Sequence, residues 1–363
     1  MRFYSSLFSI LEKKKDNMKK IQIVTVYNSL NPGSFLQATA LYHFFEKNGY
    51  EVSFMDTGAR NLFTQVVLSV VYTVKRKNIT QIPAKIKLGL RYKKQLDGYR
   101  VEKTHDTKNT VFVLGSDEIW NVARKDMARY PIFWGDGLPL SQCISYAPSL
   151  NNATEEDLMN YSFVQAAMNG LYAVSVRDKY SQKTLKKYAD REIEVVCDPT
   201  VLLQKSDYEK IESRCDEKNY LLIYIYNRTI SEAEIAAICR FAREKGLKIL
   251  AFNQDCPWCD KIVRGTAIDF LTYISHADYI CTSTFHGTML SAIYGKKFAV
   301  MGNKNRKVSE LLATLEINCR ADENSLENIL EHGYDTEKLK QRLTKLRASG
   351  VEYLQRNMEA IGE

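Results

Sequence analysis

Three hydroxyls, a histidine and a glycine crowd the middle of YICTSTFHGTMLSAIYG, residues 279–295. The run before them, DYICT, reads as a buried strand, and TMLSAIYG carries apolar residues at helical spacing up to Gly295, a C-terminal cap. The polar residues therefore occupy a strand-to-helix turn, whose open backbone N–H groups and helix dipole favour a phosphate or carboxylate. Ser283, Thr284, Gly287 and Thr288 would frame that anion. His286 stands at its mouth, with an imidazole that changes charge near neutral pH and can move a proton. Ordinary helix capping accounts for the same hydroxyls, so this turn alone does not assign a function.

Other apolar runs end in polar turns: TVFVLGSDEIWN, QCISYAPSL, LYAVSVRDKYSQKTLKKY and EIEVVCDPTVLL. Open parallel sheets collect functional groups at the C-terminal ends of their strands. Those ends offer Ser116, Asp117, Tyr146, Ser149, Arg177, Asp178 and Asp198. Asp117 either caps the next helix, or orients a hydroxyl or accepts its proton. Arg177 either forms an ion pair with Asp178 or Asp198, or holds an anion with its two-pronged guanidinium. His43, His105, His276 and His332 lie on helices, a late turn or a polar stretch and read as structural.

The elements that position these groups alternate regularly. From Met18, MKKIQIVTVY is a strand, followed by a loop containing Asn31 and Gly33, an amphipathic helix to about Gly49 and a second strand closing on Asp56. This is the repeating unit of a parallel sheet, and a glycine in its first loop admits close approach of a ligand to the backbone. Residues 1–17 read as an extension, either an upstream mis-start or a loosely held helix. An N-terminal α/β domain then runs over 18–203, interrupted by a basic helical insertion at 60–103. Residues 204–218 read as a linker, a second α/β series fills 219–334, and a helix occupies 335–363. The fold class is α/β: two tandem Rossmann-like domains of GT-B type, with the active site in the interdomain cleft.

The 363 residues are 45% hydrophobic and 26% charged, the balance of a globular protein, and no run approaches the length of a membrane span. A lysine cluster, not a small-residue cleavage site, follows the N-terminal apolar patch, so the expected location is cytoplasmic. Eight scattered cysteines suit reduced thiols; Cys256 and Cys259 lack a second ligand pair, and no metal site is expected. The net charge is +8, yet residues 60–103 alone hold eleven bases against Asp97 and Glu102. The basicity is thus local. It argues against a general nucleic-acid surface and for an anionic partner at this one segment.

Six motifs, in register over about residues 20–305, resemble the polysaccharide pyruvyl transferase family. GSDEIWN (115–121) is similar to its Gly-Ser-Asp-Gln-x-Trp-Asn signature, ISYAPSL (144–150) to Ile-Ser-Tyr-Ala-Ala-Ser, and SVRDKYS (175–181) to Ser-Val-Arg-Glu-x-x-Ser. CDPTVLL resembles the Asp-Pro-Thr segment, the block from DFLTYISHAD to STFHG the Ser-Phe-His-Gly region, and NPGSFLQATAL the N-terminal loop. Glu118 stands where the family usually has Gln, Pro148 where it has a small residue, and Pro32 where it has an aromatic.

The resemblance implies phosphoenolpyruvate as donor substrate, no cofactor, and a sugar acceptor, lipid-linked in capsule-type pathways, that receives pyruvate as a cyclic ketal. It implies catalytic roles for His286 and Asp117 and donor contacts from Arg177, Ser283, Thr284, Gly287 and Thr288. Asn31, Gly33, Ser116 and Tyr146 would face the acceptor or the cleft. A lipid-linked acceptor would place the protein peripherally on the inner face of the cytoplasmic membrane, with 60–103 against an anionic surface. Two alternatives share this outline. One is a GT-B nucleotide-sugar glycosyltransferase, for which Glu310 after NKNRKVS supplies an acid; the other is a non-catalytic binding subunit of a capsule-assembly complex.

Overall fold

A computed structural model of the chain describes residues 20–59, 62–75, 79–103, 107, 109–225, 230–302 and 304–361. The extension at 1–17, the strand start at Met18 and His105 lie outside the described residues, as do Arg60, Arg76 and Lys77 of the basic segment.

The first sheet comprises β1 (Lys20–Val24), β2 (Glu51–Met55), β3 (Val101–Glu102), β4 (Thr110–Leu114) and β5 (Cys143–Ser145), all parallel, in the order β3-β2-β1-β4-β5. Two short strands, β6 (Ser175–Val176) and β7 (Glu194–Val195), pair with each other. The second large sheet has β8 (Tyr220–Tyr224), β9 (Lys248–Phe252), β10 (Lys261–Val263), β11 (Tyr279–Thr282) and β12 (Lys297–Val300), also parallel, in the order β10-β9-β8-β11-β12. Counted within its own domain, each sheet has the Rossmann order, reversing direction beside its first strand. The central strands β4 and β8 are buried throughout, because helices cover both faces of such a sheet.

The sequence predicts that the runs ending in Arg177 and Asp198 extend the first sheet. They do not join it. Beyond β5, the Ser145 and Ser175 hydroxyls donate to each other's backbone carbonyls at 2.8 and 2.7 Å, so side chains take over the bonding that a longer ladder would supply. Among the described residues a single bridge, Ile144 to Ala173, links the two sheets.

Numbering the helices of at least eight residues, the first domain carries α1 (Pro32–Lys47), α2 (Leu62–Lys75), α3 (Ile82–Leu96) and α4 (Ser162–Gly170). The second carries α5 (Glu232–Glu244), α6 (Ala267–His276), α7 (Phe285–Ile293), α8 (Arg306–Leu315) and α9 (Thr336–Ala360). Asn31 caps α1, its side chain accepting from the Gly33 and Ser34 amides, with Pro32 at the first helical position. Gly295, just past α7, has φ of 65°, the left-handed conformation that ends helices. The predicted linker holds the short helix Lys205–Glu209, and the Ser213 amide then donates to Thr272 Oγ1, which fixes the strand of chain between domains.

Helix α9 begins in the second domain, capped by Asp335, and crosses back to the first. There Tyr353 donates to the Ser145 carbonyl at 3.0 Å, and Arg347 donates to those of Val201 and Leu203. One apolar cluster consequently contains Ile21, Phe54 and Tyr146 together with Tyr224, Leu290 and Tyr353. The domains share a core. At the closest point Gly350 lies on Tyr146 and Cys197, where an added Cβ would stand 2.6 Å from Tyr146 Oη and 2.7 Å from Cys197 Sγ. Gly350→Val should destabilise the fold by about 1–3 kcal/mol, the usual cost of overpacking. Thermal melts check this, and an unchanged melting temperature would show that α9 does not fix the domains at that contact.

Candidate functional site

The sheets meet with their reversal points face to face. Chain leaving β1 and β4 on one side, and β8 and β11 on the other, encloses a cavity of about 250 Å³. Its first wall includes Asn31, Ser34, Asp117, Glu118, Arg124 and Arg177, and its second Tyr224, Ser283, Thr284, Phe285, His286, Asn305 and Lys307. Ligand sites of open α/β sheets form at such crevices.

The loops of the first wall are stitched together. After β4, Ser149 N donates to Asp117 O and Ser116 Oγ to Ala147 O, while a side chain on Gly115 would strike the Tyr146 carbonyl. Asp117 itself sits at φ 71°, a left-handed conformation that aspartate tolerates better than bulkier residues. The buried Gln37 amide ties this loop to α1, donating to Thr25 Oγ1 and accepting from Ser116 N. Asp117 is thereby aimed into the cleft, where it accepts from Ser34 Oγ at 2.6 Å.

On the second wall Thr284 caps α7, accepting from the Gly287 amide at 3.0 Å. A Cβ on Gly287 would collide with the hydroxyls of Thr282 and Thr284, so glycine allows the tight turn. The Phe285 and His286 amides belong to the helical turn whose N–H groups have no intrahelical acceptor. The imidazole of His286 packs against Gly33 of the other domain: a Cβ there would lie 2.5 Å from its Cγ and 2.8 Å from its Cβ.

Charge converges on Asp198. This fully buried carboxylate lies 3.1 Å from Arg177 NH1 and 3.6 Å from His286 Nε2, and accepts from the Thr200 hydroxyl and amide. Burial alone would raise its pKa; His286, Arg177 and the Thr200 hydroxyl outweigh it and hold the carboxyl far below the usual range. Asp117 follows the same balance. Burial opposes ionisation, but Arg177 at 4.0 Å, His286, the Ser34 hydroxyl and Lys307 bring its pKa below the ordinary value. Arg177 is buried too, its guanidinium 4.3 Å over the Phe285 ring, and its carboxylate neighbours raise its pKa despite burial. Across the cleft Lys307 meets Glu118 at 2.7 Å, a direct ion pair between domains.

Of the residues singled out by sequence, Asn31, Asp117, Arg177, Ser283, Thr284 and His286 line the cavity, and Gly33 backs it. Gly287 and Thr288 support the turn from behind, with the Thr288 hydroxyl donating to Thr284 O. Ser116 is buried beneath Asp117. Tyr146 points away from the cleft: it is wholly buried, and its hydroxyl meets Cys197 Sγ beside α9. Its position after a strand suggested the cleft, but the alternation of a strand turned its ring into the shared core. Sequence reasoning missed Ser34, Arg124, Asn305 and Lys307. Ser34 had a signal, since it follows Asn31 by one helical turn. Glu310 faces an adjoining cavity of about 450 Å³, beside Arg342 and Leu346, that shares Arg177, Phe285 and Lys307 with the first. His43 bonds Glu46 and Tyr99, and His276 bonds Thr272 O. All eight cysteines are free thiols, and among the described residues no cluster of three His, Cys, Asp or Glu could hold a metal.

Two Rossmann-like domains enclosing a polar cleft define the GT-B class of fold. Over 93% of this chain and 95% of the other, it superposes on a UDP-N-acetylglucosamine 2-epimerase with a TM-score of 0.54 at 10% identity, a likeness of fold alone. The UDP-GlcNAc 2-epimerase from Neisseria meningitidis bound to UDP-GlcNAc (TM-score 0.49, 11% identity, 93% and 100% coverage) is another similar structure. So is Arabidopsis thaliana UGT89C1 complexed with UDP-L-rhamnose (TM-score 0.49, 13% identity, 95% and 99% coverage). No curated protein matches the sequence. The family model for polysaccharide pyruvyl transferase matches residues 31–305, and the chain belongs to that family.

Because Asp198 neutralises a buried arginine, Asp198→Asn should cost about 3–5 kcal/mol at neutral pH, the scale for breaking a buried pair. The native pKa is depressed, so this stabilisation is complete above the unfolded value of about 3.9 and is lost as pH falls through the lower native value. Denaturant melts of both proteins should show a constant gap from neutrality to about pH 5, narrowing below pH 4. A gap that narrows already near neutrality would contradict the assignment.

Proposed function

We propose that the chain transfers the pyruvate unit of phosphoenolpyruvate onto two hydroxyls of one sugar in a polysaccharide precursor, forming a cyclic ketal. The observation that carries this reading is the convergence of Arg177, Asp117 and His286 on one interdomain cavity beside the open amides of α7. The donor bears a carboxylate and a phosphate. One anion suits the N–H groups of α7, with the Ser283 and Thr284 hydroxyls beside them, and the other suits the remaining donors of Arg177 and the Lys307 ammonium.

In the transfer, a proton added to the enol CH₂ gives a methyl group and leaves C2 cationic. A sugar hydroxyl attacks C2 and releases its proton. The C2–O bond to phosphate then breaks, the phosphate leaving with the electron pair, and the second hydroxyl closes the ketal with loss of another proton. His286 serves as the acid or as the stabiliser of departing phosphate, held between Asp198 and Gly33. A carboxylate with a depressed pKa is a weak base, so Asp117 acts by orienting the hydroxyl together with Ser34. The acceptor is expected to be lipid-linked. The protein's location is proposed as the inner face of the cytoplasmic membrane; no helix among the described residues is long and apolar enough to cross one. A nucleotide-sugar reaction is less well supported, because its candidate acid Glu310 lines the adjoining cavity, beyond Arg177 and Lys307, and not the one that holds His286.

Phosphate release from phosphoenolpyruvate in the presence of acceptor sugars is the direct assay; nucleotide release from an activated sugar without it would overturn the reading. His286→Ala and Arg177→Ala should each lower turnover at least ~100-fold. Glu118 competes with a bound anion for Lys307, so Glu118→Gln should lower KM for phosphoenolpyruvate several-fold with little change in kcat. An unchanged or raised KM would place the donor away from Lys307.

A further inference from the structure

Helix α2, LFTQVVLSVVYTVK, is apolar around most of its circumference, yet Thr73 is its sole buried residue. A helix of that composition ordinarily sits in a core. Here it pairs with α3 as a hairpin, Val66 packing on Gly89, and the outer face is left open. Phe63 is 74% exposed, Leu68 62% and Leu90 64%, with Val71, Tyr72 and Val74 also exposed. Between the helices and the edge of the first sheet runs an apolar groove of about 1030 Å³.

The charge around this face selects its occupant. No acid occurs from Leu62 to Leu96. Lys75, Lys87, Lys93 and Lys94 are exposed, and none is within ion-pair distance of a carboxylate among the described residues. A second copy of the chain would bring the same bases against themselves, a repulsive arrangement at a self-complementary interface. Apolar side chains rimmed by unpaired lysines instead match a bilayer, acyl region under the one and anionic headgroups under the other.

The hairpin is also fixed relative to the cleft. Gln65 donates to Asn28 O and accepts from Leu30 N, in the loop that leads to Asn31 and Ser34. From α3, Arg91 pairs with Asp269 at 2.7 Å and Gln95 donates to Thr266, both in the second domain. We infer that the α2–α3 hairpin docks the protein onto an anionic lipid bilayer and holds the cleft at a set orientation to that surface. The inference is independent of the donor's identity.

Co-sedimentation of the full chain with vesicles tests it, using pure phosphatidylcholine against phosphatidylcholine with a third phosphatidylglycerol. Wild type should bind the anionic vesicles at low salt and lose most binding near 0.5 M salt, where the Debye length is only about 4 Å. Replacing Lys75, Lys87, Lys93 and Lys94 by Gln should weaken binding at least ~10-fold, since each base near such a surface contributes several-fold. Phe63→Ser with Leu68→Ser and Tyr72→Ser should weaken it too, and both variants should keep the wild-type melting temperature because the residues are exposed. Equal vesicle binding by the lysine variant, or none by wild type, would overturn the proposal. So would a dimer in sedimentation that the serine variant abolishes while vesicles go unbound, since a second copy would then cover the face.

Discussion

A carboxylate with no solvent contact, Asp198, is the constraint around which the two domains are arranged. Removing a charge from water costs several kcal/mol even after relaxation, and only close partners with good geometry offset it. Asp198 has Arg177 and Thr200 from its own domain, and His286 reaches it from the other. If the domains parted, the carboxylate would lose one of its three partners, and His286 would lose the Gly33 surface that seats its ring. Interdomain geometry and the orientation of the imidazole are therefore the same variable. Helix α9, clamped to the first domain by Arg347 and Tyr353, limits how far that variable can drift.

The parts of the site legible in the sequence are those for which position along the chain is enough. Asp117 and His286 each follow an apolar strand of an open parallel sheet, which fixes the edge they occupy, and Arg177 follows the short β6 beside it. Capping was legible at Thr284 for the same reason, whereas Asn31, read only as a loop residue, also proves to cap a helix. Tyr146 shows where the rule stops, because period-two alternation decides which face a strand-end residue takes, and a three-residue strand gives too little pattern to read. Lys307 and Arg124 were invisible because their relevance depends on a domain docking angle that no local pattern encodes. The break between β5 and β6 was equally hidden, since it is bridged by hydroxyls of Ser145 and Ser175 that meet only in three dimensions.

The cleft's charge balance bears on how it can receive an anionic donor. Arg124, Arg177 and Lys307 bring three positive charges to the lining and Asp117 and Glu118 two negative ones, and Asp198 behind Arg177 adds a third, so these six side chains sum to zero. A site of this kind does not attract a dianion from afar. It can still bind one at contact range, where directed donors count for more than net charge. The three carboxylates differ in how firmly they are held. Asp198 is enclosed, with Arg177, Thr200 and His286 around it, and Asp117 is held by Ser34 and its strained backbone position. Glu118 reaches across the cleft to a lysine on the other domain, and it is also the position at which the family usually carries an uncharged glutamine. Its other oxygen accepts from the Asn151 amide at 2.9 Å and faces Arg124 at 3.7 Å, so Glu118 can release Lys307 and remain paired within its own domain. On the proposed function, donor binding would take the form of an exchange, in which a donor oxygen replaces the Glu118 carboxylate on Lys307 while Asp198 and Asp117 stay fixed. Such an exchange would link donor entry to the contact between the domains, because the Glu118–Lys307 pair joins them directly.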